Sequence, residues 1–404
     1  MKILIVTQNF YPENFKSNDI AFEFAKKGHD VTVLTGLPNY PEGKIYAEYG
    51  FFKKRSEYIN GVRIVRALLV PRGVGGGVRL FINYFSWTFF ASIKAFFLSF
   101  NNKFDTVLVH QTSPIIQGFP AIIVKRIQKI PLFFWVLDLW PESLQSAGGI
   151  NNKVVLNIFG VISKYIYSQS DKILISSKGF QKSILEKGNF IDKMVYFPNW
   201  SEDEITNGAS DYPIPELPNG FKVLFAGNIG ESQDMPSILE AAKLLKHKKD
   251  IHFIILGDGR KKSWMIDYII ENDLSETVHL FGRFPLESMN AFFMKADALL
   301  VTLKDELIFN LTVPAKMQAY MSVGKPILSM LSGEGSQIIE QSRGGLSANA
   351  GDFKKLSDNI IELYNLPNSE MKKIGENAKI YYKENFEKQS CINNLEIIIE
   401  ELKL

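Results

Sequence analysis

Residues 132–143 read Leu-Phe-Phe-Trp-Val-Leu-Asp-Leu-Trp-Pro-Glu-Ser. An unbroken apolar run of this kind has no polar-out alternation, so it reads as a strand buried on both faces. That is the pattern of a parallel sheet covered by helices on either side. The run ends in two carboxylates, Asp138 and Glu142, flanked by Trp140 and Pro141. Ligands of open α/β sheets bind outside the carboxyl ends of the strands. Asp138 and Glu142 are therefore candidate catalytic groups, able to orient a hydroxyl or to stabilise positive charge at a reacting carbon. Glu142 can alternatively cap the helix that follows.

The same rhythm extends outward from this stretch. Strands are expected at Lys2–Thr7, Val31–Thr35, Val62–Leu68, Thr106–His110, Leu132–Val136, Lys172–Ser176 and Met194–Phe197, with helical patterns between several of them. Met1–Thr7 stops at Gln8 and reads as a first strand rather than a signal segment. From Pro198 to Gly220 the composition is that of a linker. A second series follows at Lys222–Ala226, His252–Gly257, Val278–Phe281, Ala298–Leu303 and Pro326–Met330, and the last 50 residues are helical in pattern. The expectation is two open α/β domains and a helical tail, with the ligand in a cleft between the domains.

The 404 residues carry 46 Lys and Arg against 43 Asp and Glu, a net +3 that excludes a strongly basic nucleic-acid binder. The sum conceals an asymmetry. Residues 1–200 carry +11 and residues 201–404 carry −8. Nine basic residues fall between Lys53 and Phe104, opposed only by Glu57. The same window holds the densest aromatic run, from Arg79 to Phe100. Its 14 uncharged residues between Arg79 and Lys94 are too few for the roughly 20 needed to span a bilayer. Two readings remain: a buried helix with Phe as core, or an interfacial helix resting on an anionic membrane through Arg79, Phe85, Trp87, Phe89 and Lys94.

One cysteine, Cys391, excludes internal disulfides and Cys-rich zinc sites. No Asp-x-Asp occurs, and five His leave little for a dedicated metal site, so none is expected. Gly-x-Gly-x-x-Gly is missing from the first βα turn, which disfavours a dinucleotide enzyme. That turn instead offers Asn14 and Lys16 as polar substrate contacts; a plain loop capped by Ser17 or Asn18 is the alternative. His29, after a Gly at a helix end, reads as structural. Gly73–Gly77 lacks the Gly-Lys-Ser/Thr ending of a P-loop and reads as a hinge.

The second half has several strand-to-helix turns rich in Gly: around Asn228 and Gly230, at Gly257–Arg260, near Arg283, and at Glu334–Gly335. Lys316 opens a helix, against the dipole preference, which suggests an anion there. Together these turns point to a nucleotide diphosphate held at helix N-termini.

The chain resembles the glycosyltransferase family 4 group of retaining enzymes, and more narrowly the bacterial L-fucosamine (N-acetyl-L-fucosamine) transferases of O-antigen and capsule assembly. The matching pieces are Gly28–Gly43, Asp138-Leu-Trp-Pro-Glu-Ser143, Ala226-Gly-Asn-Ile-Gly230, Pro314-x-Lys316 through Ile327, and Leu331–Gly335. The resemblance implies an α/β chain of the GT-B fold: two Rossmann-like domains with parallel sheets facing a cleft, and a C-terminal helix crossing back to the first domain. It implies an acceptor-binding, membrane-associating domain at 1–200, a nucleotide-sugar domain at 201–385 and a returning helix at 386–404. It further implies a UDP-sugar donor with no cofactor required, a polyprenyl-diphosphate-linked acceptor, and peripheral location at the cytoplasmic face of the inner membrane. The family's Glu-x7-Glu falls on Leu311 and Ala319, and its diphosphate-clamping Arg and Lys fall on Asn228 and Gln233. Leu137 stands where an Arg usually precedes Asp-Leu-Trp. The remaining cations for a diphosphate are Arg260, Arg283 and Lys316. A UDP-N-acetylglucosamine 2-epimerase of the same fold and a non-catalytic scaffold of a polysaccharide complex are the rival readings.

Overall fold

The computed structural model describes residues 1–73, 77–146 and 149–402. The interior of the Gly73–Gly77 run, read above as a hinge, lies outside the described residues. The chain divides into two compact units, residues 1–197 with 392–404, and residues 198–391.

The first unit holds an eight-stranded sheet. Its strands are β1 (Lys2–Val6), β2 (Asp30–Thr35), β3 (Ser56–Ile59), β4 (Val62–Arg66), β5 (Thr106–Gln111), β6 (Leu132–Val136), β7 (Lys172–Ile175) and β8 (Met194–Tyr196), in the order β3-β4-β2-β1-β5-β6-β7-β8. All pair in parallel except β3, which runs antiparallel on β4. The opening stretch behaves as read: Phe133, Phe134 and Trp135 of β6 are wholly buried. Strand order turns back at β1, which lies between β2 and β5, so the ends of β1 and β5 form the switch point. The helices are α1 (Lys16–Lys26), α2 (Gly77–Asn101), α3 (Gly118–Gln128), α4 (Glu142–Ser146), α5 (Lys153–Gln169) and α6 (Phe180–Lys187).

The second unit holds a six-stranded, all-parallel sheet of β9 (Phe221–Ala226), β10 (Ile251–Leu256), β11 (Val278–Gly282), β12 (Ala298–Thr302), β13 (Ile327–Met330) and β14 (Gly345–Ala348), in the order β11-β10-β9-β12-β13-β14. Its helices are α7 (Asp203–Thr206), α8 (Met235–Leu244), α9 (Lys262–Glu271), α10 (Met289–Lys295), α11 (Leu307–Leu311), α12 (Ala315–Val323), α13 (Glu334–Ser342), α14 (Phe353–Asn365) and α15 (Asn368–Asn385). A last helix, α16 (Lys388–Glu401), starts in the second unit and ends in the first. There Glu396 takes Lys27 at 2.5 Å and His29 at 2.6 Å, which gives His29 its structural role.

Several expectations need correction. The linker contains α7, whose Ile205 is buried among Phe292 and Phe293 of the core. Strands β3 and β14 escape the sequence reading: both are four-residue edge strands with polar residues, Ser-Glu-Tyr-Ile and Gly-Leu-Ser-Ala. Ser17 and Asn18 do not cap α1. The helix starts at Lys16 after an extended Phe15, and both residues are buried inside its first turn.

Candidate functional site

In the second unit the ends of β9, β10 and β11 are tied together by backbone bonds. Gly227 donates to Leu256 at 3.0 Å, Gly257 to Gly282 at 2.7 Å, and Ile229 to Asp258 at 2.8 Å. The close approach requires glycine. A Cβ on Gly257 (φ +139°) would overlap the Gly227 carbonyl oxygen, and one on Gly259 (φ +158°) the Ile229 carbonyl oxygen. Over these ends lies a cavity of about 550 Å³ lined by Ala226, Gly227, Asn228, Leu256–Gly259, Arg283, Phe284, Leu286 and Met289. The volume suits a small-molecule ligand.

Helix α12 brings a further cation to this edge. The Tyr320 hydroxyl lies 2.9 Å from the Ala226 amide and 3.3 Å from its carbonyl oxygen, fixing α12 against the end of β9. One turn earlier, Lys316 Nζ sits 3.8 Å from the Phe225 ring centre and donates to Gln233 Oε1 at 2.6 Å. A Cβ on Gly227 would lie 3.0 Å from that ammonium. Burial pushes the Lys316 pKa down to about 7. An anion at this bare glycine turn would favour the charged form of the lysine.

Of the remaining candidates here, Asn228 and Arg283 line the cavity and Gly230 is buried next to Asn228. Arg260, Glu334 and Gly335 are not among its lining residues. Gly335 is a packing glycine, since a Cβ there would meet Leu331 at 2.7 Å. Ala319 is buried in the core. Among the described residues no three His, Cys, Asp or Glu side chains gather as a metal-holding group.

In the first unit, Asp138 follows β6. It accepts from Trp140 Nε1 at 3.0 Å and from the Ser143 hydroxyl. Burial raises its pKa to about 6 despite these bonds. Glu142 is different: Lys187 and Ser183 each meet its Oε1 at 2.5 Å, so it is a tie between α4 and α6. Asn14 is exposed and Lys16 heads α1. The group that organises this turn is Glu13, which the sequence reading passed over. It is 4% exposed and accepts from the amides of Asn39 at 2.7 Å and Tyr40 at 2.6 Å. At the switch point, His110 Nε2 and both polar atoms of Gln111 are buried without a hydrogen-bond partner. Burial, reinforced by Lys16, pushes His110 down to about 3.

Helix α2 divides sharply between two faces. Asn83, Trp87, Ala91, Ala95 and Leu98 are buried, and the small Ala91 and Ala95 leave room for close packing. Trp87 is wholly buried, so its assignment to a membrane face is corrected: it shares a stripe with Asn83, whose side chain bonds Gln8 and Val70. Phe85, Phe89, Ile93, Phe96, Phe97 and Phe100 are exposed on the other side. Exposed Val154, Ile158 and Val161 of α5 extend this surface beside α2, where Phe81 and Phe159 are in ring contact. A second exposed aromatic site was missed. Gly50 and Lys53 bond each other's backbone, and the turn they close presents Phe51 and Phe52, 59% and 92% exposed, ahead of Lys53, Lys54 and Arg55. No helix among the described residues is long and apolar enough to cross a membrane.

Two family profiles match in tandem: a glycosyl transferase 4-like domain over residues 17–200, and glycosyl transferases group 1 over residues 220–366. The chain is built of two glycosyl transferase domains. A probable glycosyltransferase of Pseudomonas aeruginosa, WbjE, is 31% identical over 57% of this chain and 60% of its own length. The putative colanic acid biosynthesis glycosyl transferase WcaI of Escherichia coli is 22% identical over 80% of this chain and 82% of its own length. The chain thus spans about 60% of the length of the first curated relatives it matches. Among solved structures, sucrose-phosphate synthase of Thermosynechococcus elongatus superposes with a TM-score of 0.73 at 12% identity, covering 99% of this chain and 98% of that one. Anabaena Alr3699/HepE in complex with UDP gives 0.70 at 12% identity, covering 99% and 100%. The fold is accordingly GT-B, with two parallel-sheet α/β domains.

Proposed function

We propose that the chain is a retaining glycosyltransferase that moves a sugar, N-acetyl-L-fucosamine, from a UDP-sugar to a polyprenyl-diphosphate-linked saccharide in surface polysaccharide assembly. The observation that carries the nucleotide-sugar part is the placement of Lys316 and Arg283 around the glycine-bound ends of β9–β11. The UDP complex of the related fold supports the nucleotide class, and the named relatives in polysaccharide biosynthesis support the pathway class. The sugar identity rests on the motif resemblance alone.

In this reading Lys316, Arg283 and backbone amides of the Gly227–Gly230 turn meet the diphosphate and stabilise its charge as the glycosidic bond breaks. The acceptor oxygen attacks the anomeric carbon on the face the diphosphate leaves. Its proton passes to the departing phosphate oxygen, so no side-chain nucleophile is required. Asp138 orients the acceptor hydroxyl.

The acceptor's lipid implies a membrane surface. The exposed aromatic face of α2 and α5, together with the exposed Phe51–Phe52 turn and Lys53 beside it, supports peripheral attachment to anionic lipid at the cytoplasmic face. The test is a screen of UDP-sugars, UDP-N-acetyl-L-fucosamine among them, with polyprenyl-diphosphate-linked saccharides and product detection by mass spectrometry. Transfer supports the proposal. UDP binding without transfer to any acceptor contradicts it.

A further inference from the structure

The first unit contains a second cavity, of about 540 Å³, lined by Tyr11, Pro12, Tyr46, Ala47, Glu48, Tyr49, Lys54, Glu57 and Ile59. Its size falls in the small-molecule range of about 300–1,000 Å³. We propose that this pocket binds an uncharged saccharide unit, and that it reads the sugars of the acceptor beyond the one that reacts. The inference rests on the glycosyltransferase reading above.

Three tyrosines wall the pocket, and each is held in place. The Tyr11 ring packs edge-on against Phe22 at 6.1 Å. Tyr46 donates its hydroxyl to the Tyr40 carbonyl at 2.7 Å. Tyr49 lies against the Arg66 guanidinium at 4.7 Å and the Lys54 ammonium at 5.2 Å. The accessible rings of Tyr11 and Tyr46, fixed in this way, stack on the C–H face of a sugar ring with little ordering cost at binding, while the buried Tyr49 carries the cations behind them.

The charges select against other ligands. Glu48 pairs with Lys54, and Glu57 pairs with Arg66 at 2.6 Å. Arg66 is wholly buried and also donates to the Tyr11 carbonyl at 2.8 Å, tying the wall to the ion pair. Each lining carboxylate thus has its cation, so the pocket offers no net charge for a phosphate or an ammonium group. The carboxylates keep lone pairs for sugar hydroxyls. Tyr11 and Pro12 continue into Asn14 and Lys16, the residues assigned above to the substrate.

Saturation-transfer NMR on the full chain tests the proposal, using N,N′-diacetylchitobiose, lactose and methyl β-glucoside as neutral probes and glucuronate as the anionic one. The expected result is transfer to at least one neutral probe. It persists with UDP bound, drops several-fold in Tyr46→Ala and recovers in Tyr46→Phe, which keeps the ring. Absence of transfer to every neutral probe overturns the proposal. So does transfer unchanged in both Tyr46→Ala and Glu48→Gln, or preferential transfer to glucuronate. UDP binding measured on the same samples reports the second unit separately. UDP bound with no saccharide response defeats this inference alone, whereas loss of both defeats the glycosyltransferase reading as well.

Discussion

Lys316 donates to Gln233 across 2.6 Å, a cation held by a neutral amide rather than by a carboxylate. Gln233 stands where the family resemblance places a diphosphate-clamping cation. On the proposed function this is a relocation: the positive charge for the diphosphate arrives from α12, and Gln233 orients it.

The relocation has a pH signature. Burial holds free Lys316 near a pKa of about 7, well below its ordinary value. A bound diphosphate favours the ammonium and raises that pKa. UDP binding then takes up a proton at pH above about 7, and affinity falls as pH rises from there. Titration calorimetry in buffers of different ionisation enthalpy measures the uptake. The unfolded lysine binds its proton more tightly than the folded one, so this residue lowers stability most below about pH 7. Lys316→Met is expected to raise Tm at pH 7 while weakening UDP binding.

Asp138 follows the opposite charge logic. Its folded pKa of about 6 lies above the unfolded value, so the ionised carboxylate costs stability, fully above about pH 6 and less as pH falls through the carboxylate range. Asp138→Asn should raise Tm at neutral pH, with the gain fading in acid. Transfer activity should fall by about 10²–10⁴-fold, the usual worth of a positioned acid–base group. In the wild type, activity should decline as pH drops through about 6.

The two faces of α2 predict opposite phenotypes. Phe85→Ser combined with Phe89→Ser removes exposed rings and should abolish flotation with anionic liposomes while leaving Tm near wild type. Trp87→Ala empties a wholly buried site and should cost about 3–5 kcal/mol of stability. Denaturant unfolding separates the two.

Gly257→Ala tests the geometry of the second-unit cavity. A Cβ there collides with the Gly227 carbonyl oxygen and is strained at φ +139°. The variant is expected to lose UDP binding with a lowered Tm, whereas Arg260→Ala, outside the cavity lining, should bind UDP within about two-fold of wild type.

Much of the fold was legible because buried parallel strands such as Leu132–Val136 carry an unmistakable apolar run. Strands β3 and β14 were not, since short edge strands keep polar residues and make no such run. Lys316 stood out by its position in a first helical turn. Glu13 and Tyr320 did not, because their importance lies in long-range bonds to Asn39, Tyr40 and Ala226 that no local pattern encodes. Trp87 was misplaced for a related reason. With aromatics around most of α2, the buried stripe is marked by Asn83, Ala91 and Ala95 rather than by its rings. Phe51 and Phe52 lie in a turn, outside any helical or strand periodicity, and exposure alone revealed them.

The central claim is that the diphosphate of a nucleotide-sugar binds at the ends of β9–β11 and is met there by Lys316. The most direct measurement is the UDP dissociation constant of the wild type and of Lys316→Ala, by calorimetry at pH 6.5 or about half a unit below the lysine's pKa of about 7. A charged hydrogen bond contributes about 1.5–3 kcal/mol, so the account predicts binding roughly 10–100-fold weaker in the variant, with an unchanged fold. Equal dissociation constants would contradict it.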